Sequence, residues 1–371
     1  MSFTSKLVQW FGVRTDGLAG SGTFASPFNA STAPKFDRLM ETLAPGTTVH
    51  LHPGDYQTHG CKAGVRGLKA GCRLIGSGIY NTRIKLAPTW APGMEWHGNN
   101  IWLLATQSDG HSVNFPDVHV ADLTLDGGLH PGTDDFAVGA LNLWSDGLTV
   151  ERVRVVNTKD RFADNFEAFP VGCAGDGAIL RQVRIENHRR PEKQIETGNH
   201  GHTLFTLHPG TRKTGQVIEQ CHADLSGSPG FGYSQVFTIE TACTVRDCGV
   251  IGAPDHRTIA SYQDTGELRG FTMQGCRIVN ACGARVRGAG RALTGARFLD
   301  NDVTMPARPG LSAFTFSEEN PVIEECVVAG NRIGGAGNVQ EQFAIHAVSA
   351  NARRCRFEPN FIQSGLGVAC Q

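Results

Sequence analysis

Six residues of this 371-residue chain combine groups that can move a proton with groups that can hold an anion: Asn142, His202, His208, Glu240, Arg285 and Arg287. A carboxylate such as Glu240 can act as a general acid or base, and a histidine titrates near neutrality. The planar guanidinium of Arg285 or Arg287 matches a carboxylate with two parallel hydrogen bonds. An outward amide at Asn142 can bind hydroxyls. These residues lie far apart in sequence, in short apolar stretches: ALNLW (140–144), TLFTLH (203–208), VFTIET (236–241) and ARVRG (284–288). Strand side chains alternate, so inward Leu143, Leu207, Ile239 and Val286 leave Asn142, His208, Glu240, Arg285 and Arg287 on the opposite face. His200 and His202, two apart, would also share a face and could serve as acid, base or metal ligand. The plainer reading of each is a surface charge paired across neighbouring strands.

Only a repetitive fold would bring such distant residues onto one wall, and the sequence repeats. The pattern apolar-x-x-(Val, Cys or Asn)-x-apolar recurs as VADLTL (120–125), VERVRV (150–155), LRQVRI (180–185), IEQCHA (218–223), VRDCGV (245–250), MQGCRI (273–278), FLDNDV (298–303), IEECVV (323–328) and ARRCRF (352–357). Fourth positions Leu123, Val153, Val183, Cys221, Cys248, Cys276, Asn301, Cys326 and Cys355 are separated by 30, 30, 38, 27, 28, 25, 25 and 29 residues. That period is the β-solenoid size class, in which each coil buries its face against the next. Three short strands per coil, stacked about 4.8 Å apart, would place Cys221, Cys248, Cys276, Cys326 and Cys355 in one inward ladder. Free cysteine packs there as a small hydrophobe, with metal or redox chemistry the alternative.

The interval of 38 holds an insertion rich in ionisable groups, HRRPEKQIETGNHGH (188–202). Long loops on rigid scaffolds commonly carry function. Asp160, Asp164 and Glu167 form an acidic cluster that could bind calcium, which takes several oxygen ligands, or could be an ordinary acidic loop. A second outward row follows the repeat position: Arg154, Arg184, His222 and Arg277, with Glu186 and Asp224 two residues further on. It reads either as an alternative groove or as a solvated, charge-paired face.

Composition narrows the partners. The 34 basic and 35 acidic residues nearly cancel, unlike the basic excess of nucleic-acid binders. No apolar run approaches the ~18 residues that span a membrane. The start, MSFTSKLVQWFGV, is a poor signal peptide. The expected location is extracellular or periplasmic if a leader was removed, and otherwise cytoplasmic. The 11 cysteines contain no CxxC pair, which argues against zinc. A helix is expected over 34–43, capped by Ser31 or Thr32, with Phe36, Leu39, Met40 and Leu43 on one face. It would cover the open edge of the first coil.

The segments GSGTFASPFNASTAPKFDRLMETL (20–43), VHLHPGDY (49–56), LIGSGIYNTRIKL (74–86) and VHVADLTLDG (118–127) together resemble the entry region of the pectate-lyase-like superfamily. The resemblance implies an all-β fold: a single-stranded right-handed parallel β-helix with a short N-terminal capping helix. Residues 1–60 would form the cap and entry region and 61–371 the β-helix. It also implies a groove along the first strand of each coil and a polysaccharide or oligosaccharide partner. A homotrimer is a further expectation, since many such helices trimerise. The family contains lyases, hydrolases, epimerases and binding spikes. Asp134-Asp135 lacks the flanking partners of the paired-aspartate hydrolases, and the calcium segment of pectate lyases is missing.

The candidate residues then suggest a polysaccharide lyase or epimerase. Arginine would neutralise a uronic acid carboxylate, acidifying the adjacent C-5 proton, and His202, His208 or another base would remove it. A hydrolase pairing Glu240 with Asp164 or Glu167 is one alternative. A carbohydrate-binding appendage stacking Trp90, Trp96, Trp102 or Trp144 on sugar rings is another.

Overall fold

A computed structural model describes residues 8–61, 67–88, 100–108, 111–112, 115–128, 137–160, 170–189, 202–208, 215–227, 233–239, 242–253, 257–263, 268–286, 293–308, 310–316, 322–335, 343–347, 352–357, 359–363 and 366–370. Residues 1–191 and 192–371 form two compact units.

In the first unit the chain enters on Val8–Gly12, which pairs in parallel with Phe28–Asn29 and with Thr48–Leu51. The helix Ala33–Glu41 follows Thr32, whose extended backbone starts it, with Pro34 in the first turn. Phe36, Met40 and the following Leu43 are buried. The ring of Phe36 lies 6.5 Å from Phe11 and 5.7 Å from Tyr56, so the helix closes over the first coil. Asp37, also on the inner face, accepts from Thr58 Oγ1 at 2.6 Å and pairs with His59 Nδ1 at 2.8 Å. Strands from within residues 1–60 already pair with later coils: Thr48–Leu51 with Arg73–Ile75, and Gly54–Thr58 with Thr82–Leu86.

The repeat then becomes regular. His119–Asp126, Thr149–Val156 and Ile179–Glu186 stack in parallel, with Leu123 over Val153 over Val183, all buried. Each strand bends at the preceding residue: Asp122, Arg152 and Gln182 have φ of 60°, 51° and 54°. This left-handed conformation costs a non-glycine residue about 1–2 kcal/mol, offset here by the burial that the bend aligns. A second sheet stacks Asn100–Ala105, Ala137–Trp144 and Val171–Ala174.

The second unit repeats the plan. One parallel sheet runs through His202–His208, Tyr233–Ile239, Arg257–Gln263, Cys282–Val286, Ser312–Phe316, Phe343–Ala347 and Gly367–Cys370. Two further stacks flank a bend at Gln220, Asp247, Gly275, Asp300 and Gly330, all with positive φ. Stacked rings fill the interior, Phe205 on Phe237 at 5.2 Å and Phe298 against Phe314 at 5.3 Å. The fold is the expected right-handed parallel β-helix with its short N-terminal capping helix.

The cysteine ladder is real but shorter than the sequence suggests. Cys221, Cys248 and Cys276 occupy one buried column, their thiols in mutual contact. Burial pushes the Cys248 thiol well above its ordinary value; contact with Cys248, then burial, does the same for Cys276. These thiols are packing groups. The column continues through Asn301, Asn331 and Asn360, at separations of 25, 30 and 29 residues. Cys326 and Cys355 instead form a second column, stacked above Ala296 at another corner. Both corners place a small residue directly after a left-handed bend (Glu325 and Arg354 at the second), so one hexamer pattern fits both.

Candidate functional site

The long strands of the second unit alternate as expected. Phe205, Phe237, Ala284, Phe314 and Ile345 are buried, as are Ile239, Val286 and Phe316. Between these inward positions one residue per coil stacks in the register Thr206, Thr238, Tyr262, Arg285, Thr315, His346. Thr238, Arg285, Thr315 and His346 are half-buried. Adjacent strands lie about 4.8 Å apart. Arg285 therefore has Tyr262 and Thr315 as immediate register neighbours, with His346 roughly 10 Å along the same row. The His346 Nε2 atom is enclosed and has no hydrogen-bond partner among the described residues.

The sequence candidates fall around this row unevenly. Arg285 lies in it. His208 sits two residues beyond Thr206 in the same strand, and His202 pairs in register with Ser234. The side chains of both histidines, and the whole of Glu240, Arg287, Asp164, Glu167, His200, Trp90 and Trp96, lie outside the described residues. Asn142 belongs to the first unit. It is half-buried, accepts from Trp144 Nε1 at 3.0 Å, and has Ala105 and Gly172 as register neighbours. Its row thus carries no charge on either side.

Asp160 is nearly fully buried. Its Oδ1 lies 3.5 Å from His188 Nε2, and His188 Nδ1 is 2.9 Å from Thr158 Oγ1. Among the described residues no group of His, Cys, Asp and Glu is arranged to hold a metal. Calcium binding remains an expectation of the sequence.

A cavity of about 400 Å³ opens in the first unit, on the row that the sequence marks as an alternative groove. Two parallel rows build its floor: Asp55, Arg83, Thr124 and Arg154 in one, Asp126, Val156 and Glu186 in the other. Arg83 Nη2 holds Asp126 Oδ2 at 2.7 Å. Asp126 Oδ1 accepts from the Gly128 N–H and from Asn157 Nδ2 at 2.8 Å, and Asn187 Nδ2 donates to Asn157 Oδ1 at 2.6 Å. Arg154 donates to Glu186 Oε2 from Nε and Nη2, at 3.1 and 2.6 Å, which raises the guanidinium above its ordinary value. Ile79 and the 78 % exposed Tyr80 line the mouth. Sequence reading names Arg154 and Glu186 but misses Asp55, Tyr80, Arg83, Asp126, Asn157 and Asn187. The 30-residue spacing of Asn157 and Asn187, both with positive φ, is the signal that could have found part of it.

No protein-family model matches the chain, and no curated protein matches it by sequence. Solved structures do. The A-module of the Azotobacter vinelandii mannuronan C-5 epimerase AlgE4 aligns over 97 % of this chain and 100 % of its own, with a TM-score of 0.51 and 15 % identity. A double mutant of the tailspike of E. coli bacteriophage HK620 aligns over 91 % of this chain with a TM-score of 0.59 and 14 % identity. The same tailspike in complex with a pentasaccharide aligns over 90 % of this chain at 0.57 and 12 % identity. The alignments span 59 % and 60 % of the tailspike chains. Recurrent register, the left-handed bends and these likenesses make the chain a right-handed parallel β-helix.

Proposed function

We propose that the protein acts on an acidic polysaccharide by proton abstraction next to a uronic acid carboxylate, leading to elimination or epimerisation. The observation that carries this reading is the strand-face row with Arg285 between Tyr262 and Thr315 and His346 two coils on. A guanidinium on a rigid strand can take a carboxylate through two hydrogen bonds and stabilise the negative charge that develops as the C-5 proton leaves. The proton passes to a base presented by a neighbouring coil, with His346 a titratable side chain described on this face. Loss of the C-4 oxygen then gives an unsaturated sugar, and reprotonation from the opposite side gives the epimer. A linear row suits a polymer, because successive coils meet successive sugars. The epimerase and tailspike likenesses support a carbohydrate ligand by fold analogy.

The test is incubation with pectin, alginate and glycosaminoglycan. Elimination appears as near-ultraviolet absorbance, and epimerisation as solvent deuterium entering C-5, read by NMR. Absence of both signals across the panel refutes the reading. New reducing ends without absorbance would replace it with hydrolysis.

A further inference from the structure

We infer that the cavity over Arg83, Thr124 and Arg154 is a binding site for a neutral saccharide, separate in its residues from the Arg285 row. All of its lining belongs to residues 1–191, whereas the row belongs to 192–371. A volume of about 400 Å³ falls in the range of small-ligand sites and suits one or two sugar rings.

Three features point to sugar hydroxyls. The lining offers planar carboxylates, guanidiniums and amides, which bind vicinal hydroxyls in pairs, and they are already fixed by one another. Asp126 is clamped by Arg83, Asn157 and the Gly128 N–H, while Glu186 is held through Oε2. Spare capacity remains at Glu186 Oε1, which makes no hydrogen bond among the described residues and belongs to a side chain 35 % exposed. Tyr80 supplies the second feature. It is a large ring left 78 % exposed at the mouth, and aromatic faces stack on the apolar faces of sugars. Charge is the third. Each guanidinium of the lining is already paired, Arg83 with Asp126 and Arg154 with Glu186, which disfavours capture of a polymer carboxylate while leaving the groups able to bind neutral hydroxyls. Such a site would anchor a neutral glycan, or a neutral unit of a mixed polymer.

The probes are the methyl glycosides of glucose, galactose, mannose and N-acetylglucosamine, with maltose, cellobiose and lactose. Binding to the whole protein is read by saturation-transfer NMR and titration calorimetry without any uronate present. Its outcome is thus independent of the elimination reaction. At least one probe is expected to bind, with Tyr80→Ala weakening it about tenfold and Glu186→Gln also weakening it. Tyr80 is exposed enough that its loss leaves the fold intact, which circular dichroism verifies. The inference is overturned if no probe binds, or if both variants bind as well as the parent.

Discussion

Replacing Asn331 tests the β-helix at an interior position held by four hydrogen bonds. The side chain is fully buried. Its Oδ1 accepts from the backbone N–H and the Nδ2 of Asn301, each at 2.9 Å, and its Nδ2 donates to Phe298 O and Asn360 Oδ1, each at 2.9 Å. Asn331→Ala leaves the buried Asn301 N–H without an acceptor and takes a donor from Phe298 O. Each such loss costs about 1–3 kcal/mol, so the expected destabilisation is roughly 3 kcal/mol, opposed only by the lower rotamer entropy of alanine. Asn331→Cys should cost about half as much, because the cysteines of the same column accept the neighbouring coil's backbone N–H through sulfur. Urea unfolding followed by circular dichroism measures both, with an unchanged slope showing that the same transition is followed. An alanine penalty below about 1 kcal/mol, or a cysteine as damaging as alanine, would refute the account of the ladder.

Three further outcomes are expected. Arg285→Ala should lower any uronate turnover about 100-fold, with Arg285→Lys only partly restoring it because the paired fork is lost, as read by near-ultraviolet absorbance. Contact with Arg152 holds the Glu151 carboxyl below its ordinary value despite burial. Its contribution is therefore present above that value and lost as pH falls through the lower folded value, so Glu151→Gln should flatten the fall of Tm over about pH 3–5. Under native conditions a thiol reagent should label the half-exposed Cys355 before the buried Cys221, Cys248 and Cys276, an order that peptide mass spectrometry reports.

The column Leu123, Val153, Val183 was readable because each follows its bend at a constant 30-residue spacing, and hydrophobic residues repeat there. The continuation past Asn301 was not, because the chain turns the same way at two corners and only hydrogen bonds distinguish them. Asp37 shows another limit. Helical periodicity assigns the inner face to Phe36 and Met40, and nothing local announces that a carboxylate between them meets Thr58 and His59. The polar cavity escaped for a related reason. Asp55, Tyr80 and Arg83 come from the first coils, where intervals are irregular, so their register with Thr124 and Arg154 exists only once the sheet is built. The strand face around Arg285 was accessible to simple alternation, and that residue lies where alternation put it.

The run from Asn301 to Asn360 has a direction that the thiols below it lack. Each amide gives its hydrogen forward to the next carbonyl oxygen, from Asn301 to Asn331 and from Asn331 to Asn360. Sulfur atoms packed against one another would tolerate a neighbour displaced by one residue, whereas head-to-tail amides would not. The C-terminal half of the stack thus keeps a reading frame. A coil duplicated or grafted into this stretch would fit best if it carried its own asparagine at the same rung.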